Sequence, residues 1–353
     1  MSSMNASPIS AAMPERTRAR PLAGLTAVLL VLAVLIVLGA GLGSSFMPPE
    51  RVIAALLGQG SRADALIIWT LRLPRLCLAL AAGAALALSG AILQRVARNP
   101  LASPSILGIT DGAAVGVVAF LWLWSDSVNA LTVPIQWKPV AAVLGAVGFA
   151  LITGLMTLAD PRRGPMGLIL YGIAMGALAK ALVTLLMIMG PVHLPGQAMM
   201  WMAGSVGAAH WSDVAALALV LLVSLPLLLA AGPVLAQMRL DGDSARASGL
   251  ALGRAQIAMV ALAVALTGSA VAFVGAIGFV GLIAPHGARH LVREGSPAWL
   301  AASALIGAAL VLGADILARV IAPPLEIPAG AVTAVLGAPL FILLLVRGRK
   351  VRG

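Results

Sequence analysis

AQIAMVALAVALTGSAVAFVGAIGFVGLIAP, residues 255–285, contains no charged side chain, and the number of times it crosses a membrane decides the topology of the chain. A span needs about 20 apolar residues, and they must be helical because lipid offers the backbone no hydrogen-bond partner. The stretch is too long for one upright helix and short for two full ones; Gly275, Gly278 and Gly281 mark the expected bend. Read as two crossings, 255–274 and 276–291, it leaves the basic tail Arg347, Arg349, Lys350 and Arg352 on the same side as Arg16, Arg18 and Arg20. Read as one, it sends that tail outside, against the inward bias of positive charge.

Outward from this stretch, apolar runs recur at 22–43, 70–93, 104–124, 139–158, 167–189, 212–231, 299–320 and 329–346. The expectation is an all-α, polytopic transmembrane bundle of about ten spans with both termini cytoplasmic. Arg95, Arg98, Arg162, Arg163, Arg239, Arg246, Arg254, Arg289 and Arg293 then join the terminal clusters inside. Trp69, Trp122, Trp124, Trp137, Trp201 and Trp211 fall at or beyond outer ends, where amphipathic rings settle. The first run exceeds the roughly 7–15 apolar residues of a signal peptide and reads as a retained span. The organisation is a tail at 1–21, a permeating domain at 22–346 whose longest inner loop is 232–254, and a basic tail at 347–353.

Composition agrees. Of 353 residues 61% are hydrophobic and 10% charged, a balance that no water-soluble surface carries. With 4% aromatics and 38 glycines, helices are expected to approach through small residues. The net charge of +11 sits in clusters between apolar runs, which explains it by membrane orientation rather than by nucleic acid. Cys77 is the only cysteine, which rules out an intramolecular disulfide.

The outer segments 44–69, 125–139 and 190–211 are caps rather than domains, and Met47–Leu57, opening on Pro48 and Pro49, predicts a short surface helix. Arg75 leading to Ser89-Gly90 and Arg254 leading to Thr267-Gly268 hint at an inverted repeat. No GxxxxGK[ST] loop is present, since none of Lys138, Lys180 and Lys350 follows a glycine; any ATP-driven work therefore depends on another polypeptide. His193, His210, His286 and His290 are scattered and form no paired-histidine metal or triad spacing, so an enzyme finds no convergent site. Asp111, Asp160, Asp213 and Asp315 fall toward span ends, which disfavours an ion-coupled secondary transporter.

Three blocks carry a family likeness. Arg72-Leu-Pro-Arg75 is followed by Ala82-Gly83-Ala84, Ser89-Gly90, Gln94, Arg98-Asn-Pro-Leu-Ala102, Pro104 and Leu107-Gly108. Trp201-Met-Ala-Gly-Ser205 follows the fifth span. Phe279-Val-Gly-Leu-Ile-Ala-Pro-His286 with Arg289, Ala314-Asp-Ile-Leu-Ala-Arg319, Pro324-Leu-Glu-Ile-Pro328, Gly330, Thr333-Ala334 and Gly337-Ala-Pro339 close the chain. In this order they closely resemble the FecCD-type permeases, which import iron chelates and vitamin B12.

The resemblance implies a bacterial inner-membrane permease that works with a second permease subunit, a cytoplasmic ATPase dimer and a periplasmic binding protein. The implied cargo is a ferric siderophore, with haem or cobalamin as alternatives. No cofactor is expected in this chain, ATP and magnesium belonging to the ATPase. At matching positions Arg72, Arg75 and Arg319 would grip glutamates of the binding protein, a task suited to the bidentate guanidinium fork. Without the family, snorkelling or an i, i+4 pair of Arg319 with Asp315 accounts for them. The loop with Asp241, Gly242, Asp243, Ala247, Gly249, Leu250 and Gly253 would be the coupling element, two short helices seated in the ATPase. Asp160–Met166 holds the position of the family's inner gate but carries other residues. Lys180, within the fifth span, has no counterpart in the family pattern; it either lines the path and favours an anionic chelate or pairs at the subunit interface.

Overall fold

The computed structural model describes residues 16–43, 46–125, 131–160, 164–190, 194–240, 242–292, 294, 296–321 and 325–350. Among them regular structure is helical, apart from one isolated bridge between Ser125 and Leu131. The helices are α1 (Arg16–Gly41), α2 (Pro49–Leu56), α3 (Arg62–Leu66), α4 (Leu73–Val96), α5 (Ile109–Leu123), α6 (Lys138–Ala159), α7 (Gly164–Met189), α8 (Leu194–Ala203), α9 (Trp211–Gln237), α10 (Gly242–Ala247), α11 (Leu252–Val274), α12 (Val280–Arg289), α13 (Pro297–Ile321) and α14 (Ala329–Lys350). A π-turn, Ile67–Arg72, leads into α4. Each apolar run in the sequence overlaps one of these helices. Among the described residues seven helical stretches are long and apolar enough to cross a membrane, and Ile109–Leu123 and Ala329–Leu343 are shorter apolar helices.

The end of the bundle that holds Arg72 and Arg75 is called outer here, and the end that holds Arg95 and Arg289 inner. At the centre stands α4, 78% of whose most apolar window is buried, flanked by α11 and α13; α1 is peripheral, 11% buried, and lies mainly along α13. Such a bundle can pack only where side chains are small. A Cβ at Gly90 would fall 1.8 Å from the carbonyl oxygen of Gly281, so α4 and α12 touch backbone to backbone. Large apolar side chains such as Leu30, Val37, Leu144, Leu222 and Ile342 are exposed on the rim, where lipid replaces water as solvent.

Two of the expected spans are broken rather than continuous. The run 104–124 becomes helical only at Ile109, after Gly108 adopts φ +73°. The residues before it, among them Ala102, Ser103, Pro104 and Leu107, are buried inside the bundle, the one setting in which non-helical backbone is tolerated at membrane depth. Ile106 and Leu107 consequently pack on Gly172, and Asp111 in the first turn of α5 on Gly176, well inside α7. Asp111 therefore lies part-way through the bundle and not, as expected, at the end of a span. The run 276–291 is likewise reduced to the ten residues of α12, entered through Gly275 at φ +70° and Phe279 at φ +65°.

This symmetry bears on the repeat. The helix α4 runs inward and is followed by a non-helical re-entry and a short helix; α11 runs outward and is followed by the same sequence of elements. At their crossing Thr267 Oγ1 donates to Ser89 Oγ over 2.6 Å, and Ser89 Oγ donates to the Ala263 carbonyl over 2.8 Å, all fully buried. The two hydroxyls that the sequence places at corresponding positions thus meet in the core.

Candidate functional site

The outer cluster begins with backbone geometry. Pro74 has no N–H, and in an α-helix its ring would press on the carbonyl of Thr70. The wider π-turn relieves this: Leu73 N–H bonds to the Ile68 carbonyl five residues back, and the turn ends on Arg72. Arg72 and Arg75 then enter the bundle side by side.

Arg72 Nη1 donates to the carbonyls of Ala40 and Gly41, the latter at 2.9 Å. Arg319 Nη1 donates to those of Gly39 and Leu42 at 3.4 and 3.2 Å. These are the last carbonyls of α1, which no intrahelical donor reaches and toward which the helix dipole draws cations. Arg75 is held on both edges. Its Nε donates to Asp315 Oδ1 over 2.9 Å, and its Nη1 donates to both oxygens of Glu326 over 3.0 Å. Arg319 Nη2 lies 3.0 Å from Asp315 Oδ2, the i, i+4 pair that the spacing allows. The side chains of Arg75 and Asp315 are 9% and 1% exposed, that of Glu326 54%. The three expected docking arginines are therefore brought together, but buried and turned inward, two of them as caps of α1. Three guanidiniums against two carboxylates leave the cluster positive.

At the inner end the structure assembles a network to which the sequence reading gave no role. Gln94 Nε2 donates to the carbonyls of Gly281 and Leu282 at 3.3 Å, and Arg289 Nη2 donates to Gln94 Oε1. Glu294 Oε1 lies 2.8 Å from Arg95 Nη2 and 3.0 Å from Arg289 Nε. The Arg95 guanidinium sits 5.4 Å over the Trp299 ring, and Arg239, at the end of α9, donates to the Glu294 carbonyl over 3.2 Å. Connected side chains thus run from the head of the inner loop to the start of α12.

That loop holds one short helix, α10, in place of the two that the resemblance implies; the second helical element is the first turn of α11 itself. Between them Gly249 turns the chain at φ +86°. Ala245 packs inward, while Asp243, Ala247, Gly249 and Gly253 are exposed, and a Cβ at Gly249 or Gly253 would meet nothing within 4 Å. Leu250 is half-buried, and its N–H bonds to the Ala245 carbonyl over 3.3 Å. Gly242 opens α10; Asp241 lies outside the described residues, as do Arg162 and Arg163 of the expected gate segment. Asp160 accepts a hydrogen bond from Tyr171 over 3.1 Å. Lys180 is exposed on α7.

Missing from the sequence reading were Glu326, Gln94 and Glu294 as partners. Glu326 and Gln94 reach Arg75 and Arg289 only through the fold, and Glu294, five residues after Arg289, reaches Arg95 in the same way.

Comparison with known proteins places this arrangement. Residues 29–347 match the FecCD transport family. The chain is 44% identical over 332 residues to the "Probable siderophore transport system permease protein YfhA" of Bacillus subtilis, covering 93% of this chain and 94% of that one. It is 41% identical over 330 residues to the Fe(3+)-citrate import system permease protein YfmE of the same organism, covering 94% and 96%. A solved metal-chelate type ABC transporter in an inward-facing conformation superimposes with a TM-score of 0.80 at 30% identity, covering 92% of this chain and 98% of its own.

Proposed function

Because the chain belongs to the FecCD transport family, we propose that it is the permease subunit of an ATP-binding-cassette importer that carries a ferric siderophore inward across the bacterial inner membrane. The family match across nearly the whole chain, on a bundle with two broken spans, is the observation that carries this reading. A multi-pass bundle without a nucleotide loop supplies the path; the driving force comes from elsewhere.

In this reading about ten spans leave both termini in the cytoplasm, as the charge distribution favours. A second permease copy or paralogue completes the path, an ATPase dimer sits below, and a binding protein docks above. Docking uses the positive outer cluster. Glu326, the exposed acid on Arg75, is the group that a binding-protein carboxylate displaces, while Asp315 stays in place and keeps the guanidinium aimed. Arg72 and Arg319 hold α1 and add to the attracting field.

Below, Asp243, Ala247, Gly249 and Gly253 form the projection that the ATPase receives. Closure of the ATPase pair moves α10, and the Arg239–Glu294–Arg289–Gln94 chain passes that motion to the broken start of α12. The carried chelate is not chemically changed.

Affinity purification of the tagged chain from its native membrane tests the assembly. A stoichiometric ATPase subunit is the expected companion. Purification as a stable, transport-competent protein without any ATPase would contradict the reading.

A further inference from the structure

A charge inside the membrane region is costly and marks a working site more often than an accident. Lys180 is such a charge. It lies nine residues before Met189, about 13 Å short of the outer end of α7, farther than a lysine side chain reaches toward headgroups. On its flank of α7, Ile173 is exposed and apolar, and Thr184, one turn on, turns its hydroxyl back to the Lys180 carbonyl over 2.9 Å.

Its direction follows from the helix. Tyr171 reaches Asp160 at the end of α6, which fixes the flank of α7 that faces α6. Lys180 is nine residues further on, two and a half turns, and so projects from the opposite flank, where it is exposed within this subunit.

A carboxylate waits beside it. The break before α5 drops Asp111 into the bundle, where its Oδ2 lies 2.9 Å from the place of a Cβ on Gly176, one turn before Lys180. The two charges are near enough to interact electrostatically, yet among the described residues no carboxylate lies within ion-pair distance of Lys180. The ammonium keeps its donors for another acceptor.

We propose that Lys180, backed by Asp111, forms a station on the translocation path for chelates that carry negative charge, with carboxylate-bearing ferric complexes as the ligand class. The passing carboxylate takes the donors of Lys180 for a time and leaves again, because Asp111 competes for the same ammonium. This rests on the reading of the chain as an iron-chelate permease.

The test uses the complete importer with its ATPase and binding protein in proteoliposomes, and two radioiron probes: anionic ferric citrate and an uncharged ferric trihydroxamate. The wild type is expected to carry ferric citrate. Lys180→Met lowers its maximal uptake about tenfold, the loss of one charge-assisted hydrogen bond, with chelate binding to the binding protein unchanged. Lys180→Arg retains uptake within about twofold. The double variant Lys180→Met with Asp111→Asn stays impaired.

Uptake of the trihydroxamate alone overturns the station, as does Lys180→Met uptake equal to wild type. Recovery in the double variant also overturns it, because it reveals a charge balance that serves structure only. Uptake of neither probe contradicts the iron-chelate reading itself.

Discussion

Arg75 Nε donates to Asp315 Oδ1 over 2.9 Å and thereby joins α4 to α13 at positions 240 residues apart in the chain. Asp315 also pairs with Arg319, so one buried carboxylate holds both arginines at the outer end of the core. Removing a single partner of a buried pair leaves an uncompensated charge and costs about 3–5 kcal/mol.

Asp315→Asn therefore destabilises the fold more than any change at Glu326. Thermal denaturation in detergent, followed by size-exclusion fluorescence, reads this directly. An Asp315→Asn protein that melts with the wild type would deny the carboxylate its holding role.

Glu326→Gln removes only the exposed half of the Arg75 clamp. Stability is expected to change by less than about 1 kcal/mol, the range of exposed pairs. Binding-protein affinity, measured by surface plasmon resonance on nanodiscs, is expected to rise because the internal competitor is gone. Arg75→Ala should weaken the same binding. If Glu326→Gln weakens it too, Glu326 is part of the docking surface and not a competitor.

Arg72 and Arg319 fasten α1 through its last carbonyls, and little else buries that helix. Arg72→Met should loosen the outer end of α1, seen as faster hydrogen exchange at Gly39–Leu42 with the α4–α13 core unchanged. Equal protection in the variant would mean that packing along α13 suffices by itself.

Gly249 turns at positive φ in open space, so a side chain there meets backbone strain but no neighbour within the subunit. Gly249→Arg is expected to leave the permease folded and to separate ATP hydrolysis from uptake, with hydrolysis persisting and uptake falling about tenfold or more. Uptake and hydrolysis that stay proportional in the variant would remove the loop from the coupling path.

How much of this was legible in the sequence depends on whether the signal is local. Apolar length is local, so every run the sequence singled out is found, whole or in part, as a helix. The breaks were legible as glycines: the bend expected at Gly275–Gly281 falls at Gly275–Phe279, but the late start of α5 was not foreseen, because Pro104 and Gly108 interrupt a run of otherwise suitable hydropathy. The short α8 was read only as part of a cap, since ten residues are too few to stand out between two spans. The likeness of Ser89-Gly90 to Thr267-Gly268 was visible in the sequence, yet the hydrogen bond between the two hydroxyls follows only from the crossing of α4 and α11. At the outer end the arginines were evident because charge is rare there. The pair of Arg319 with Asp315 was legible from its spacing, but the partners of Arg75 were not, because Asp315 and Glu326 reach it only after the two halves of the chain pack together.

The most direct measurement is radioiron uptake by proteoliposomes that contain this chain with its ATPase, loaded with binding protein and a ferric siderophore. The account predicts accumulation that requires ATP inside the compartment where the basic inner face lies, and that persists when proton and sodium gradients are collapsed. Uptake that continues without ATP and stops with an ionophore would contradict it.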